Sequence, residues 1–217
     1  MILDYFDELA NILDFSDSEY CYVVTICSRK RDNIKDWIEY YPGDKAHMIK
    51  MYFVNSKDRL YSIHTEVKDI CNAINGRAYI NAYAKKISVI KEQYKALLLD
   101  DISFIEPSKL LPNNSIFEEI DVQNDKCLYA GIDLDGSLAT QENIEKYFNV
   151  VLEIDPNAKL LKVLTTPNGK WILCTYFDNL KFFKRCEELG YEYVGAGAGA
   201  GIPLYSNLDL SKIKAGK

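Results

Sequence analysis

A chain of 217 residues with 48% hydrophobic and 12% aromatic content can bury one large core or two small ones, which excludes a disordered segment. A formal charge of −6 excludes coating of nucleic acid by bulk positive charge but leaves room for a local basic groove. Six cysteines without a Cys-x-x-Cys pair, and only two histidines, His47 and His64, read as reduced core thiols of a cytosolic protein and argue against a zinc site.

Met1 to Phe15 carries Asp4, Asp7, Glu8 and Asp14 and no basic n-region, so a secretory leader is not expected. No apolar run approaches the ~18 residues of a membrane helix, and no membrane partner is expected. Ile2, Leu3, Phe6, Leu9, Ala10, Ile12 and Leu13 follow helical spacing and predict a short docking helix. Tyr20 to Ser28 alternates and reads as a strand running into the basic turn Arg29-Lys30-Arg31. Asp32 to Lys45, with Pro42-Gly43, reads as a loop with one turn around Trp37. Ile49 to Val54 is a second strand. Asn55 or Ser56 caps a helix from Lys57 to Ile74, with Leu60, Ile63, Val67, Ile70, Cys71 and Ile74 on one face, and Asn75-Gly76 ends it. Arg77 to Ala82 is a third strand, and Lys85 to Leu99 a further helix. Residues 1–100 are thus expected to form an N-terminal α/β unit of order αββαβα. The Pro-, Asn- and acid-rich stretch over 101–126, with Pro107, Pro112, Asn113 and Asn114, reads as the linker.

The second unit, 127–217, is more regular. Cys127 to Asp135 reads as a strand, Thr140 to Val151 as a helix with Thr140 as N-cap, and Lys159 to Thr165 as a strand. Thr166 to Gly169 reads as a tight turn, Trp171 to Tyr176 as a strand, and Asp178 to Leu189 as a helix ended by Gly190. A last strand is expected near Tyr191 to Val194 or Ile202 to Tyr205. The order βαββαβ is the split-βαβ, ferredoxin-like or RNA-recognition-motif plan, with an antiparallel sheet and both helices on one face. The fold class expected for the whole chain is α+β.

Within the first strand of this unit, Asp133 and Asp135 stand one residue apart and therefore project on the same face. Two carboxylates at the end of a central strand repel unless a cation relieves them, which makes the pair a candidate Mg2+ or Mn2+ site and a candidate catalytic pair; ordinary Asp-Gly-Ser turn chemistry is the competing explanation. Thr166, Asn168 and Lys170 are chemically suited to hold a nucleotide triphosphate, or else simply form a β-turn. Whether that hairpin approaches the carboxylates depends on strand direction, which the sequence leaves open. Arg77, Tyr79, Asn81 and Tyr83 alternate along a strand. With Arg29, Lys30, Arg31, Lys85 and Lys86 they suit a basic, aromatic surface for single-stranded nucleic acid, or else a solvated face. The run Gly195 to Gly201 lacks a following Lys-Ser or Lys-Thr, so it is not a Walker loop. A flexible tip or a tightly packed strand crossing is the commoner use of such a run.

Over roughly residues 20–205, the motifs Arg-Lys-Arg-Asp-Asn (29–33), Gly-Arg-Ala-Tyr-Ile-Asn (76–81), Ile-Asp-Leu-Asp (132–135) and Thr-Pro-Asn-Gly-x-x-Ile (166–172) resemble those of a family of tailed-phage proteins. The order of motifs in that family is similar to the archaeo-eukaryotic primase, or primase-polymerase, superfamily. The resemblance implies an N-terminal α/β unit joined to an RNA-recognition-motif-like unit, nucleotidyl transfer in DNA replication, a divalent metal at Asp133 and Asp135, and nucleotide or single-stranded nucleic acid as partner; it names no protein partner. It further implies residence in the cytoplasm of the phage host. Trp171 stands where that superfamily has a phosphate-binding histidine, and an indole is not expected to replace it. The Gly195 to Gly201 run occupies the region of the third acidic motif, with Asp209 beyond it. A non-catalytic binding protein on the same fold is the alternative these departures raise. Asp133-Leu-Asp135-Gly-Ser, with Val163 to Thr166, also resembles the loops of haloacid-dehalogenase-type phosphatases, which would require parallel βα repeats.

Overall fold

The structure, a computed structural model, describes residues 2–32, 46–100, 123–198 and 201–208. The loop around Trp37, the stretch 101–122 and Asp209 lie outside them, as does the side chain of Arg31. The chain is a mixed α+β protein with six helices, an antiparallel, curled seven-stranded sheet and an antiparallel four-stranded sheet among the described residues.

The larger sheet draws on both ends of the chain. Its strands are β1 (Ile2–Asp4), β2 (Tyr20–Arg29), β3 (Ala46–Val54), β4 (Arg77–Asn81), β5 (Tyr83–Lys86), β6 (Lys126–Cys127) and β11 (Gly201–Asn207). The order is β1-β11-β4-β2-β5-β6, with β3 beside β2. Period-two alternation along β2 separates two faces. Val24 and Ile26, with Ala78, Ile80, Ile202 and Leu204 of the neighbouring strands, pack on α1 (Phe6–Ile12), α2 (Lys57–Ser62) and α3 (His64–Ile74). Val23, Thr25, Cys27 and Arg29 look the other way. There Cys21 and Val23 meet Ile87 and Ile90 of α4 (Ile87–Asp100).

The smaller sheet is formed by β7 (Tyr129–Asp135), β8 (Leu160–Thr165), β9 (Gly169–Thr175) and β10 (Gly195–Gly197) in the order β10-β7-β9-β8, every neighbouring pair antiparallel. Helices α5 (Gln141–Ile154) and α6 (Asn179–Glu188) both cover one face. Ala130, Ile132, Leu134, Ile172 and Cys174 pack there against Ile144, Tyr147, Val151, Phe182 and Cys186. The odd-numbered positions of β7 and β9 face the larger sheet, and Tyr129, Trp171 and Leu173 join its core. Tyr5 ties the two layers, its hydroxyl donating to Thr165 O (3.0 Å) and accepting from Thr165 N (2.9 Å).

Several boundaries differ from the expectations. Ile2 to Asp4 is a strand rather than the start of a helix, because it pairs with Tyr205 to Asn207, a partner some 200 residues away that local periodicity does not register. The helix expected over 57–74 is two, joined at Ile63, whose N–H closes a tighter turn on Leu60 O; Ser56 caps the first as expected, accepting from Arg59 N at 3.1 Å. Asn75 ends the second in the left-handed region at φ 47°, its amide donating to Asp32 O. Thr140 caps α5 through Asn143 N, and Asp178 caps α6 through Leu180 N and Lys181 N. Of the two places offered for the last strand of the second unit, neither pairs with β7. The glycine-alanine run itself supplies β10, and Ile202 to Tyr205 belongs to β11 in the larger sheet. Glycine and alanine suit this use because they let the chain lie close to β7 before crossing between the sheets.

Candidate functional site

Asp133 and Asp135 sit on the central strand of the smaller sheet, on the face opposite its helices. Strand direction settles the question of the hairpin. Because β9 runs antiparallel to β7, Asp133 lies opposite Trp171 and Asp135 opposite Gly169, and Gly136 N donates to Asn168 O at 2.9 Å. The turn is therefore sewn to the end of the carboxylate strand. Gly169 is required there, since a Cβ would lie 1.9 Å from Leu134 O and 2.9 Å from Asp135 Cα. Asp133 is half-buried and Asp135 exposed.

These carboxylates open into a groove of about 470 Å³ between the two sheets. Seven of the residues singled out from the sequence line it: Asp133, Asp135 and Thr166 from the smaller sheet, and Arg29, Arg77, Tyr79 and Asn81 from the larger. Nothing local in the sequence joins these two groups; the packing of one sheet over the other does.

The remaining candidates fall elsewhere. Asn168 does not line the groove. Neither does Lys170, which alternation places on the opposite face of β9 from Trp171, its ammonium donating to Thr165 Oγ1 at 3.0 Å. The Thr166 hydroxyl accepts from Gly169 N (2.9 Å) and Asn168 N (3.3 Å), so it also organises the turn. Tyr83 is not on the face of Tyr79 and Asn81. The strand breaks at Ala82, and Tyr83 is buried in β5. Lys85 is buried as well, paired with Asp125 at 3.0 Å, rather than offered on a surface.

Arg77 plays a part that its position in an alternating strand does not reveal. Its Nε and Nη2 each donate to the Asp32 carboxylate at 2.6 Å, a two-pronged pair whose side chains are 6% and 2% exposed. Its charge is matched inside the protein, and it fixes the short turn Lys30–Asp32 that follows Arg29. Arg29 Nη1 donates to Tyr79 Oη at 3.2 Å. Burial pushes the Tyr79 phenol above its ordinary pKa, against the opposing pull of the Arg29 and Arg77 guanidiniums.

Trp171 overturns one expectation. An indole N–H is a hydrogen-bond donor. Its Nε1 is buried without a hydrogen-bond partner among the described residues, as is Nδ2 of Asn81. The indole edge rests on the backbone of Gly131, where a Cβ would come within 2.5 Å of the ring nitrogen. Pro203 and Tyr205 complete the larger sheet's wall. They escaped the sequence reading because β11 reaches this wall only through pairing with β4.

The two carboxylates can hold one divalent cation. Mg2+ commonly takes one or two protein carboxylates and fills the rest of its shell with water and substrate phosphate, and this pair fits that role. A metal cage built from protein alone does not fit, since no group of three or more His, Cys, Asp or Glu side chains able to hold an ion occurs among the described residues. Both neighbours of β7 are antiparallel, so the parallel setting that a haloacid-dehalogenase-type nucleophile loop needs is not found around Asp133. No helix among the described residues is long and apolar enough to cross a membrane. Comparisons with protein-family models, with curated proteins and with solved structures return no match.

Proposed function

We propose that the chain is a primase-polymerase-like protein, with an N-terminal α/β unit and an RNA-recognition-motif-like βαββαβ unit, that binds a nucleotide or single-stranded nucleic acid together with Mg2+ or Mn2+ and carries out nucleotidyl transfer. One observation carries this reading. The paired carboxylates Asp133 and Asp135 share a groove with Arg29, Tyr79 and Asn81 of the facing sheet. The strand order β10-β7-β9-β8 is that of the split-βαβ plan, and it supports the same reading. In this function Asp133 and Asp135 hold the cation and the larger sheet's wall takes the anionic ligand. The cation, when bound, offsets phosphate charge and favours ionisation of an attacking hydroxyl.

The second reading is a binding protein on the same architecture without catalysis. The observation in its favour is the absence of a third carboxylate beside the pair among the described residues.

Thermal unfolding with Mn2+ and a nucleoside triphosphate tests the first step. A ligand at ~100 times its Kd stabilises the native state by about 2.7 kcal/mol, a measurable rise in midpoint. The shift is expected in the wild type and lost in Asp133→Ala/Asp135→Ala. Primer synthesis by the wild type alone then separates the enzyme from the binding protein, and no shift in either protein overturns the nucleotide reading.

A further inference from the structure

We propose that Arg29 and Tyr79 form an oxyanion-binding pair on the larger sheet's wall of the groove, and that it is this pair, rather than the Thr165–Lys170 hairpin, that takes a phosphate of the ligand. The identity of that ligand rests on the nucleotide reading above; the subsite itself does not. The shared chemistry is a phosphate oxygen, carried by a nucleoside triphosphate or by a nucleic-acid backbone.

Three features of the groove lead to this assignment. Tyr79 Oη accepts from Arg29 Nη1 at 3.2 Å, and a phenol that accepts through its oxygen keeps its own hydrogen to donate. Burial raises the pKa of that phenol, so it holds its proton at neutral pH and serves as a donor. Beside it, the guanidinium of Arg29 is always charged, has five N–H donors, and suits the geometry of a phosphate. The pair therefore presents a cation and an O–H together on the sheet opposite Asp133 and Asp135.

The other cationic and polar candidates are committed elsewhere. Arg77 lines the same groove but gives both prongs of its fork to Asp32. Lys170 projects to the other face of its sheet and bonds Thr165, while the Thr166 hydroxyl accepts two backbone N–H groups of its own turn. This use of Tyr79 differs from base stacking, because the hydroxyl rather than the ring meets the ligand. Tyr79→Phe, which keeps the ring, separates the two roles.

The experiment is calorimetric titration of the full chain with inorganic tripolyphosphate, without metal, at low ionic strength. The wild type is expected to bind. Arg29→Met and Tyr79→Phe are each expected to weaken binding about tenfold or more, the scale of a lost hydrogen bond to a charged group. Lys170→Met is expected to leave it unchanged. Unfolding midpoints establish that each variant is folded, and Tyr79→Phe alone decides the matter if Arg29→Met is not. Failure of the wild type to bind tripolyphosphate, or loss in Lys170→Met with none in Tyr79→Phe, overturns the inference. Competition then distinguishes the sources, with a nucleoside triphosphate in one arm and an oligothymidylate in the other. If tripolyphosphate binds through this pair while Mn2+ and nucleotide give no thermal shift, the oxyanion subsite stands and the nucleotide reading falls.

Discussion

Replacing Arg77 by methionine keeps the aliphatic stem and removes the charge, leaving the Asp32 carboxylate buried alone. Both bonds of the pair measure 2.6 Å and both side chains are more than nine-tenths buried. Breaking a buried pair from one side costs about 3–5 kcal/mol, whereas an exposed pair is worth about 0–1 kcal/mol. The upper range applies here because solvent does not reach Asp32 to take over from the guanidinium. With a urea dependence of about 2 kcal/mol/M, the unfolding midpoint is expected to fall by about 2 M. Asp32→Asn should be costly for the same reason, and the double variant Asp32→Asn/Arg77→Met should recover part of the loss, giving a coupling energy of at least about 1 kcal/mol in the mutant cycle. The disturbance reaches the groove as well, since Asp32 anchors the turn after Arg29 and its carbonyl accepts from Asn75 Nδ2 at 2.7 Å. A cost below about 1 kcal/mol for Arg77→Met, or additivity in the cycle, would refute the assignment of this pair as a buried structural clamp.

Two further outcomes follow from close packing and from the buried thiols. Gly169→Ala sets a Cβ against the backbone of Leu134 and Asp135, which cannot swing aside, whereas Gly131→Ala meets only the indole of Trp171. Equilibrium unfolding should show about 3 kcal/mol or more lost for the first and about 1–3 kcal/mol for the second, and a neutral Gly169→Ala would contradict the contact between β7 and β9. Burial pushes the thiol of Cys21 up to about 11 and those of Cys71 and Cys174 up to about 12, from 9.0. A pKa raised in the folded state means the unfolded chain loses these protons first. The stability they contribute is therefore complete below about pH 9 and declines as pH rises beyond it, by about 1.4 kcal/mol per unit for each thiol until its folded pKa is reached. Urea midpoints at about pH 8 and about pH 10 check this, and equal values would show that the thiols are not buried.

How much of the protein can be read from its sequence depends on the range over which each feature is decided. The N-caps Ser56, Thr140 and Asp178 are legible because a cap bonds residues two or three positions away. The shared face of Asp133 and Asp135 is legible because the pleat repeats every two residues, and the alternating polar and apolar positions of β2 and β9 follow from the same rule. The sequence by itself thus determined the α+β class, most helices and strands, and which side chains stand together within one strand. Tertiary structure decided everything that depends on a partner far along the chain. It made Ile2 to Asp4 a strand through Tyr205 to Asn207, turned Gly195 to Gly197 into the neighbour of β7, and sent Ile202 to Tyr205 to the other sheet. It also divided the arginines, giving Arg77 to Asp32 while Arg29 meets Tyr79 in the groove. The physical reason is that strand pairing and charge pairing are governed by which surfaces bury together, and a local repeat of two or 3.6 residues carries no record of that choice.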